Sequence, residues 1–415
     1  MSDAVKQLAR SALAIPGLVS MAQAAAPANS EAGYQYTYYT EDDSPDSRSD
    51  GGAQERYTIQ VHQFYLMMPY GSNMSWDVEG SFETLSGASP VYTYKNDEDV
   101  TRVYMAGASI ERRYDLYGSG RYYWSQAEVG AVAGFSVEND YTSLSSGIDG
   151  SLQINDQMTT LSGGATVSYD TIDPTQDYSD PAEQQANTPG RFAAKDQNKW
   201  QFSVFEGVSQ IIDMNTVVQV GTSVTHLSGY LSDPYREKED GAEVPYDIRP
   251  DSRTMFTLTA GGRRYFTGLG GALHLDFRFL ADSWDIISTT TDLSWYQNYA
   301  PGWDWFVSNE VDFQLVPSIR YYQQTEAYFY EIPDHGEADP FYTADTTSYY
   351  SSDPRLSTYG SLSLGLALKT DFRDFSWTVA GERYAANPSY GFNTDEETPG
   401  LPAFWRVTSG LEFRF

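Results

Sequence analysis

The chain has 415 residues, with 26 Lys plus Arg against 57 Asp plus Glu, a net charge of −31 and no cysteine. The missing cysteine excludes disulfides, thiolate metal sites, covalently attached haem and cysteine nucleophiles. The acidic excess argues against a nucleic-acid partner, whose phosphates require basic surface. An aromatic content of 15%, with 33 tyrosines, suits β-strands and also the aromatic girdles found at membrane interfaces.

The first segment, MSDAVKQLARSALAIPGLVSMAQAAAPANS, carries Lys6 and Arg10 and then a short apolar run from Ser11 to Ala22. It closes on Ala22-Gln23-Ala24, the small-x-small pattern of a signal-peptidase site, so residues 1–24 are expected to be a leader and 25–415 the mature chain. The run is too short, and too interrupted by Pro16, to span a bilayer as a helix. No later stretch stays apolar for the roughly 18 residues that a membrane helix needs, so any span must be built from strands.

Along the chain, apolar and polar residues alternate with period two. In NMSWDVEGSFETL, Met74, Trp76, Val78 and Phe82 share one face, and Asp77, Glu79 and Glu83 the other. ALHLDFRFLADSW sets Leu273, Leu275, Phe277 and Phe279 against His274, Asp276, Arg278 and Asp282. WDWFVSNEVDFQLVPSIRYYQQ reads as a strand from Trp303, with Glu310, Asp312 and Arg320 on its polar face. GSLSLGLALK alternates Leu362, Leu364, Leu366 and Leu368 with small or polar residues. Arg112, Glu206 and His226 fall on the apolar face, where a bulge or a rim position would accommodate them, and Pro317 calls for a bulge or local bend.

Alternation alone also suits a soluble sandwich, so strand length and turn asymmetry arbitrate. Globular strands average about five or six residues, whereas a tilted membrane-spanning strand needs about nine to eleven. Tight connections at 70–73, 125–126, 154–156, 213–215, 267–271, 299–302 and 371–374 alternate with long polar loops at 42–54, 87–102, 171–198, 231–251, 331–353 and 388–401. Short turns on one side and long loops on the other are the pattern of outer-membrane barrels. The expected fold is all-β: a transmembrane antiparallel β-barrel of about sixteen strands, with short periplasmic turns, long extracellular loops and a place in the bacterial outer membrane.

The final stripe, WRVTSGLEFRF, puts Trp405, Val407, Leu411, Phe413 and Phe415 on one parity. It resembles the last strand of bacterial outer-membrane β-barrel proteins, and that resemblance implies that Phe415 belongs to the signal read by the barrel-assembly machinery. SGASP (86–90), ERRYD (111–115), DTIDP (170–174), SIRYYQQTEAYFY (318–330) and DPRLSTYG (353–360) are similar to recurring segments of an uncharacterised bacterial barrel family, a domain of unknown function. That similarity implies a fold and a location, with no assigned activity.

The polar faces predict a wet lumen. Its expected charged lining includes Asp77, Glu79, Glu83, Asp276, Asp282, Glu310 and Asp312, with His274, Arg278 and Arg320 among them. Acidic excess along a pore favours cations, although paired and hydrated wall charge is the plainer reading. His62 and His274 are placed on lumen faces, and His274 with Asp276 forms an i, i+2 pair. No nucleophile motif accompanies them, so no catalytic residue, cofactor or metal site is assigned. The acidic loops at 38–50, 168–184 and 235–247 match no EF-hand pattern and read as solvated surface. The leading expectation is a porin-like channel for small hydrophilic solutes, with cation preference and contacts to membrane lipid and lipopolysaccharide. The alternative is a closed barrel that acts as a binding or structural scaffold for a periplasmic or extracellular partner. An outer-membrane hydrolase ranks last.

Overall fold

The computed structural model describes residues 26–51, 54–96, 98–106, 110–173, 196–233, 247–332, 349–392 and 398–415. The expected leader and most of the acidic loops at 168–184 and 235–247 lie outside the described residues.

In chain order the strands are β1 (Glu31–Glu41), β2 (Ser49–Gly51), β3 (Thr58–Tyr70), β4 (Met74–Ser86), β5 (Ser89–Lys95), β6 (Thr101–Ala106) and β7 (Glu111–Tyr123). They continue as β8 (Ala127–Val137), β9 (Tyr141–Ile154), β10 (Thr159–Ile172), β11 (Gln197–Asp213), β12 (Thr216–Gly229) and β13 (Ser252–Phe266). The last are β14 (Gly271–Asp282), β15 (Ile287–Tyr299), β16 (Asp312–Gln324), β17 (Tyr359–Asp371), β18 (Phe375–Asn387) and β19 (Ala403–Arg414). All except β2, β5 and β6 join one closed antiparallel barrel of sixteen strands, in which β1 pairs with both β3 and β19. Closure leaves no free edge, which is what a sheet needs where lipid cannot hydrogen-bond to a backbone.

Directly paired residues share a face, so the register assigns the wall. Leu364 and Leu366 are each 55% exposed and look outward, while Ser361 and Ser363, of the opposite parity on the same strand, are buried and look inward. The same outward row carries Leu315, Ile319 and Tyr321 on β16. Outward aromatics gather near both ends of the wall: Tyr38, Trp200 and Trp405 toward the long-loop side, Trp76, Tyr122, Trp377 and Phe413 toward the short-turn side. Side chains with both apolar body and polar tip are stable at such boundaries.

Two expected starts move. The segment from Trp303 is not strand: α1 (Asp304–Ser308) forms a single turn, with Val307 N donating to Trp303 O and Asn309 N to Trp305 O, both at 3.1 Å. Pro301 and Gly302 break the preceding strand, and Glu310, at φ 53°, turns the chain into β16. The single strand implied between the loop at 87–102 and the turn at 125–126 also splits. Residues 101–106 form β6, and the wall resumes only at Glu111.

β2, β6 and β5 make a small sheet at the long-loop end, where the connections fold together as a cap. Ala88, Val103 and Met105 are one buried cluster there. Trp284, Ile286, Ala327, Phe329 and Leu356 are another, with Leu231 and Tyr330 against it. Gly87, at φ +114°, lets the chain leave β4 beside the Arg56 carbonyl, a position where any side chain would collide.

Candidate functional site: the lumen and its cap

The inward face of β4 carries Asp77, Glu79 and Glu83, and that of β7 carries Glu111, Arg113, Asp115 and Arg121. Ser119 Oγ donates to Asp77 at 2.6 Å, and Ser81 Oγ donates to Asp115 at 2.7 Å. Arg113 spans Asp115 at 3.0 Å and Glu138 at 3.6 Å. Arg121 spans Glu128 at 3.2 Å and Asp149 at 2.7 Å. Two guanidiniums thus serve several carboxylates, so this wall keeps an acidic surplus.

Counting round the ring from β1, β4 is third and β14 eleventh, eight strands apart in sixteen, so they lie on opposite sides of the lumen. The β14 side is charged but matched. Asp276 accepts from Arg263 at 2.7 Å, Asp292 accepts from Arg320 at 2.6 Å, and Asp282 is paired with Arg253. Asp276 and Asp292 are direct cross-strand neighbours, a repulsive placement that these two arginines offset. Arg278 looks inward between them, and its buried Nε has no acceptor among the described residues. Asp312 opposes Asp371 at the short-turn lip, where Lys369 holds Asp371 at 3.0 Å.

The lumen is therefore where Asp77, Glu79, Glu83, His274, Asp276, Arg278, Asp282, Asp312 and Arg320 lie. Glu310 does not belong with them. The turn formed by α1 carries it to the rim, exposed and paired with Arg373 at 3.0 Å. His62 is corrected as well: it is paired across to Tyr36 and Phe82 on the outward row and bonded to the Tyr34 hydroxyl at 2.8 Å. Glu206 and His226 keep their outward parity, because the register shift in β11 comes later, between Ile211 and Asp213. They find local partners instead, Thr222 at 3.3 Å and Thr254 at 2.9 Å. Pro317 sits outward without shifting the register to either neighbour; only the ladder to β15 is interrupted beside it. The pair expected of His274 and Asp276 is not formed: the carboxylate is engaged by Arg263, and the imidazole lies against the Tyr296 ring at 4.1 Å. Among the described residues no group of His, Asp and Glu has the geometry to hold a metal.

The sequence reading missed the hub of the cap. Asp353 is fully buried, receives Arg249 at 2.9 Å and Arg355 at 2.7 Å, and caps its own turn by accepting from Arg355 N at 2.9 Å. Burial opposes the charge on Arg249, but Asp247 and Asp353 outweigh it and raise its pKa. Asp353 also raises that of Arg355. Gln324 at the top of β16 donates to the carbonyls of Arg355 and Ser357, at 3.0 and 2.8 Å, which fastens the cap to the wall. Asp-Pro followed by Arg and Ser is a turn-capping signal, visible in DPRLSTYG as local structure.

A family model described as "Protein of unknown function (DUF3570)" matches residues 5–412. The chain belongs to this family. No curated protein matches it in sequence. Among solved structures the fold is similar to "Bacterial polysaccharide outer membrane secretin", at 10% identity over 92% of this chain and 98% of that one, with a TM-score of 0.48. It is similar to CdiB from Acinetobacter baumannii at 7% identity over 93% of this chain and 60% of that one, with a TM-score of 0.48. OccD3 (OpdP) of Pseudomonas aeruginosa is 9% identical over 96% of this chain and 93% of that one, with a TM-score of 0.40. At such identities the likeness concerns the fold alone. Location follows from the architecture: a closed sixteen-strand ring, apolar outside between aromatic boundaries and charged inside, places this member of the family in the bacterial outer membrane.

Proposed function

We propose that the chain is a channel for small hydrophilic solutes with a preference for cations. The observation that carries this reading is the asymmetry of charge across the lumen, an acidic β4–β7 wall facing a matched β13–β16 wall. Carboxylates without an equal number of guanidiniums attract cations and repel anions in a pore bounded by low dielectric. Water reaches the wall charges: the side chains of Arg320 and Arg406 are each 48% exposed, and that of Arg113 is 42% exposed. Sixteen strands enclose a lumen wide enough for an aqueous path.

In this reading residues 1–24 are a leader removed on export, and Phe415 is part of what the assembly machinery recognises. Lipid and lipopolysaccharide surround the wall. The deciding experiment is a planar-bilayer recording of purified protein in a salt gradient. The expected reversal potential is that of a cation-preferring pore, and Asp77→Asn, Glu79→Gln and Glu83→Gln together move it toward zero. An anion-selective wild-type pore overturns the reading.

The cap favours a second reading. Its buried clusters and the Asp353 hub tie long-loop segments to one another, which suits a closed barrel acting as a scaffold for a periplasmic or extracellular partner. A folded protein that never conducts selects it.

A further inference from the structure

Below the cap a cavity of about 300 Å³ lies against the top of the lumen wall. Its apolar side is made by Leu280, Trp284, Ile286 and Leu356, and its polar side by Arg249, Arg253, Arg355 and Asp353. Tyr322 and Ser288 reach it from the inward faces of β16 and β15. The volume falls at the lower end of the roughly 300–1,000 Å³ typical of small-ligand sites.

The charges decide what fits. Arg253 is paired with Asp282 and lies over the Trp284 ring at 4.4 Å. Arg249 is held between Asp247 and Asp353, and Arg355 is held by Asp353. A charged solute would compete with these pairs and strand a buried partner, at considerable cost. A neutral solute leaves them intact. Each guanidinium has five N–H donors, and its carboxylate occupies only some of them. The Arg355 side chain is 64% exposed although its partner carboxylate is 1% exposed, so its far edge is open to a solute. Fixed donors and acceptors around an apolar panel match a molecule with hydroxyls on its rim and C–H groups on its faces.

We propose that this cavity binds a neutral polyhydroxylated ring, a saccharide of one or two units, as it passes under the cap. The proposal deepens the channel reading by naming a solute class and rests on it for passage; binding itself needs no conduction. The test is isothermal titration calorimetry on the folded full barrel in detergent, with glucose and maltose as probes and glutamate and lysine as charged controls. Saturable sugar binding is expected, with no saturable binding of either charged control. Leu280→Trp, which fills the cavity from the wall without touching an ion pair, should weaken binding at least tenfold. Should that variant fail to fold, Leu280→Phe serves instead; it narrows the cavity less and should weaken binding about fivefold. Absence of sugar binding to folded protein, tighter binding of a charged control, or wild-type affinity in the variants overturns the proposal. Liposome swelling separates it from the channel reading: binding without permeation defeats the channel alone, and ion conduction without sugar binding defeats this site alone.

Discussion

Ser30 and Phe415 exchange two backbone hydrogen bonds, Ser30 N to Phe415 O at 2.9 Å and Phe415 N to Ser30 O at 3.0 Å, and so fasten the lower end of the seam between β1 and β19. The backbone of the last residue closes the ring, yet its side chain is 67% exposed and adds little packing to the finished wall. Phe415→Asp should therefore leave the stability of barrel refolded in detergent nearly unchanged. In cells the same variant should lower the amount of folded barrel in outer membranes several-fold, read from the gel shift between boiled and unboiled samples. Equal amounts of folded wild type and variant in cells would remove Phe415 from the assembly signal.

Asp353 gives a prediction about the cap rather than the wall. Asp353→Ala leaves Arg249 and Arg355 without their shared buried carboxylate, and breaking such a pair from one side costs about 3–5 kcal/mol. The barrel strands do not depend on that contact, so heat modifiability should persist. Segments 247–251 and 349–358 should become cleavable by protease added outside the cell, and conductance should rise. A variant as protease-resistant as the wild type would show that the two apolar clusters hold the cap without the hub.

Acid should loosen the same cap through different pairs. A hydrogen bond from Arg102 is the main cause holding the Asp50 carboxyl below its ordinary 3.8, against a smaller opposing effect of burial. A hydrogen bond from Arg383 does the same for Asp42. A carboxylate whose folded pKa lies below its unfolded value stabilises the fold fully above that value. The contribution disappears as pH falls through 3.8 toward the lower folded pKa. Protection factors of amides in β2, β5 and β6, with the intrinsic pH dependence of exchange divided out, should fall below that point and stay flat above it. Asp50→Asn should remove most of the acid step; an unchanged step would assign it to other carboxylates.

Much of this architecture is legible in the sequence because a lipid-facing wall enforces strict alternation over a dozen residues at a time. Leu362 to Leu368 can be read directly as an outward row, and the strand count follows from turns such as 213–215 and 267–271. The misreadings have local physical causes. Trp303, Trp305 and Val307 also alternate, but Pro301-Gly302 and the φ of Glu310 convert the stretch into a helical turn. His62 lies on a strand whose two faces are both mixed, with Ile59 and Val61 inward and Phe64 and Leu66 outward, so hydrophobicity does not fix its parity. The Asp353 hub depends on Arg249, about a hundred positions away, and no local pattern carries such a contact. Its capping residue was visible; its partner was not.

Salt provides the last prediction, because it separates wall charge from pore size as the origin of selectivity. Asp77, Glu79 and Glu83 project from one strand toward the matched wall opposite, so their field must cross water to act on a passing ion. The Debye length is about 10 Å at 0.1 M salt and about 3 Å at 1 M. Cation preference should therefore be greatest in dilute KCl and fade toward the mobility ratio of the free ions in concentrated KCl. The triple neutralisation at these positions should flatten that dependence. Asp276→Asn alone should reduce cation preference too, because it releases the Arg263 charge that the carboxylate had matched. Reversal potentials measured at a fixed gradient ratio over rising mean concentration check all three expectations. Selectivity that holds unchanged to 1 M KCl would place its origin in a narrow constriction, where ions touch the wall and screening no longer intervenes.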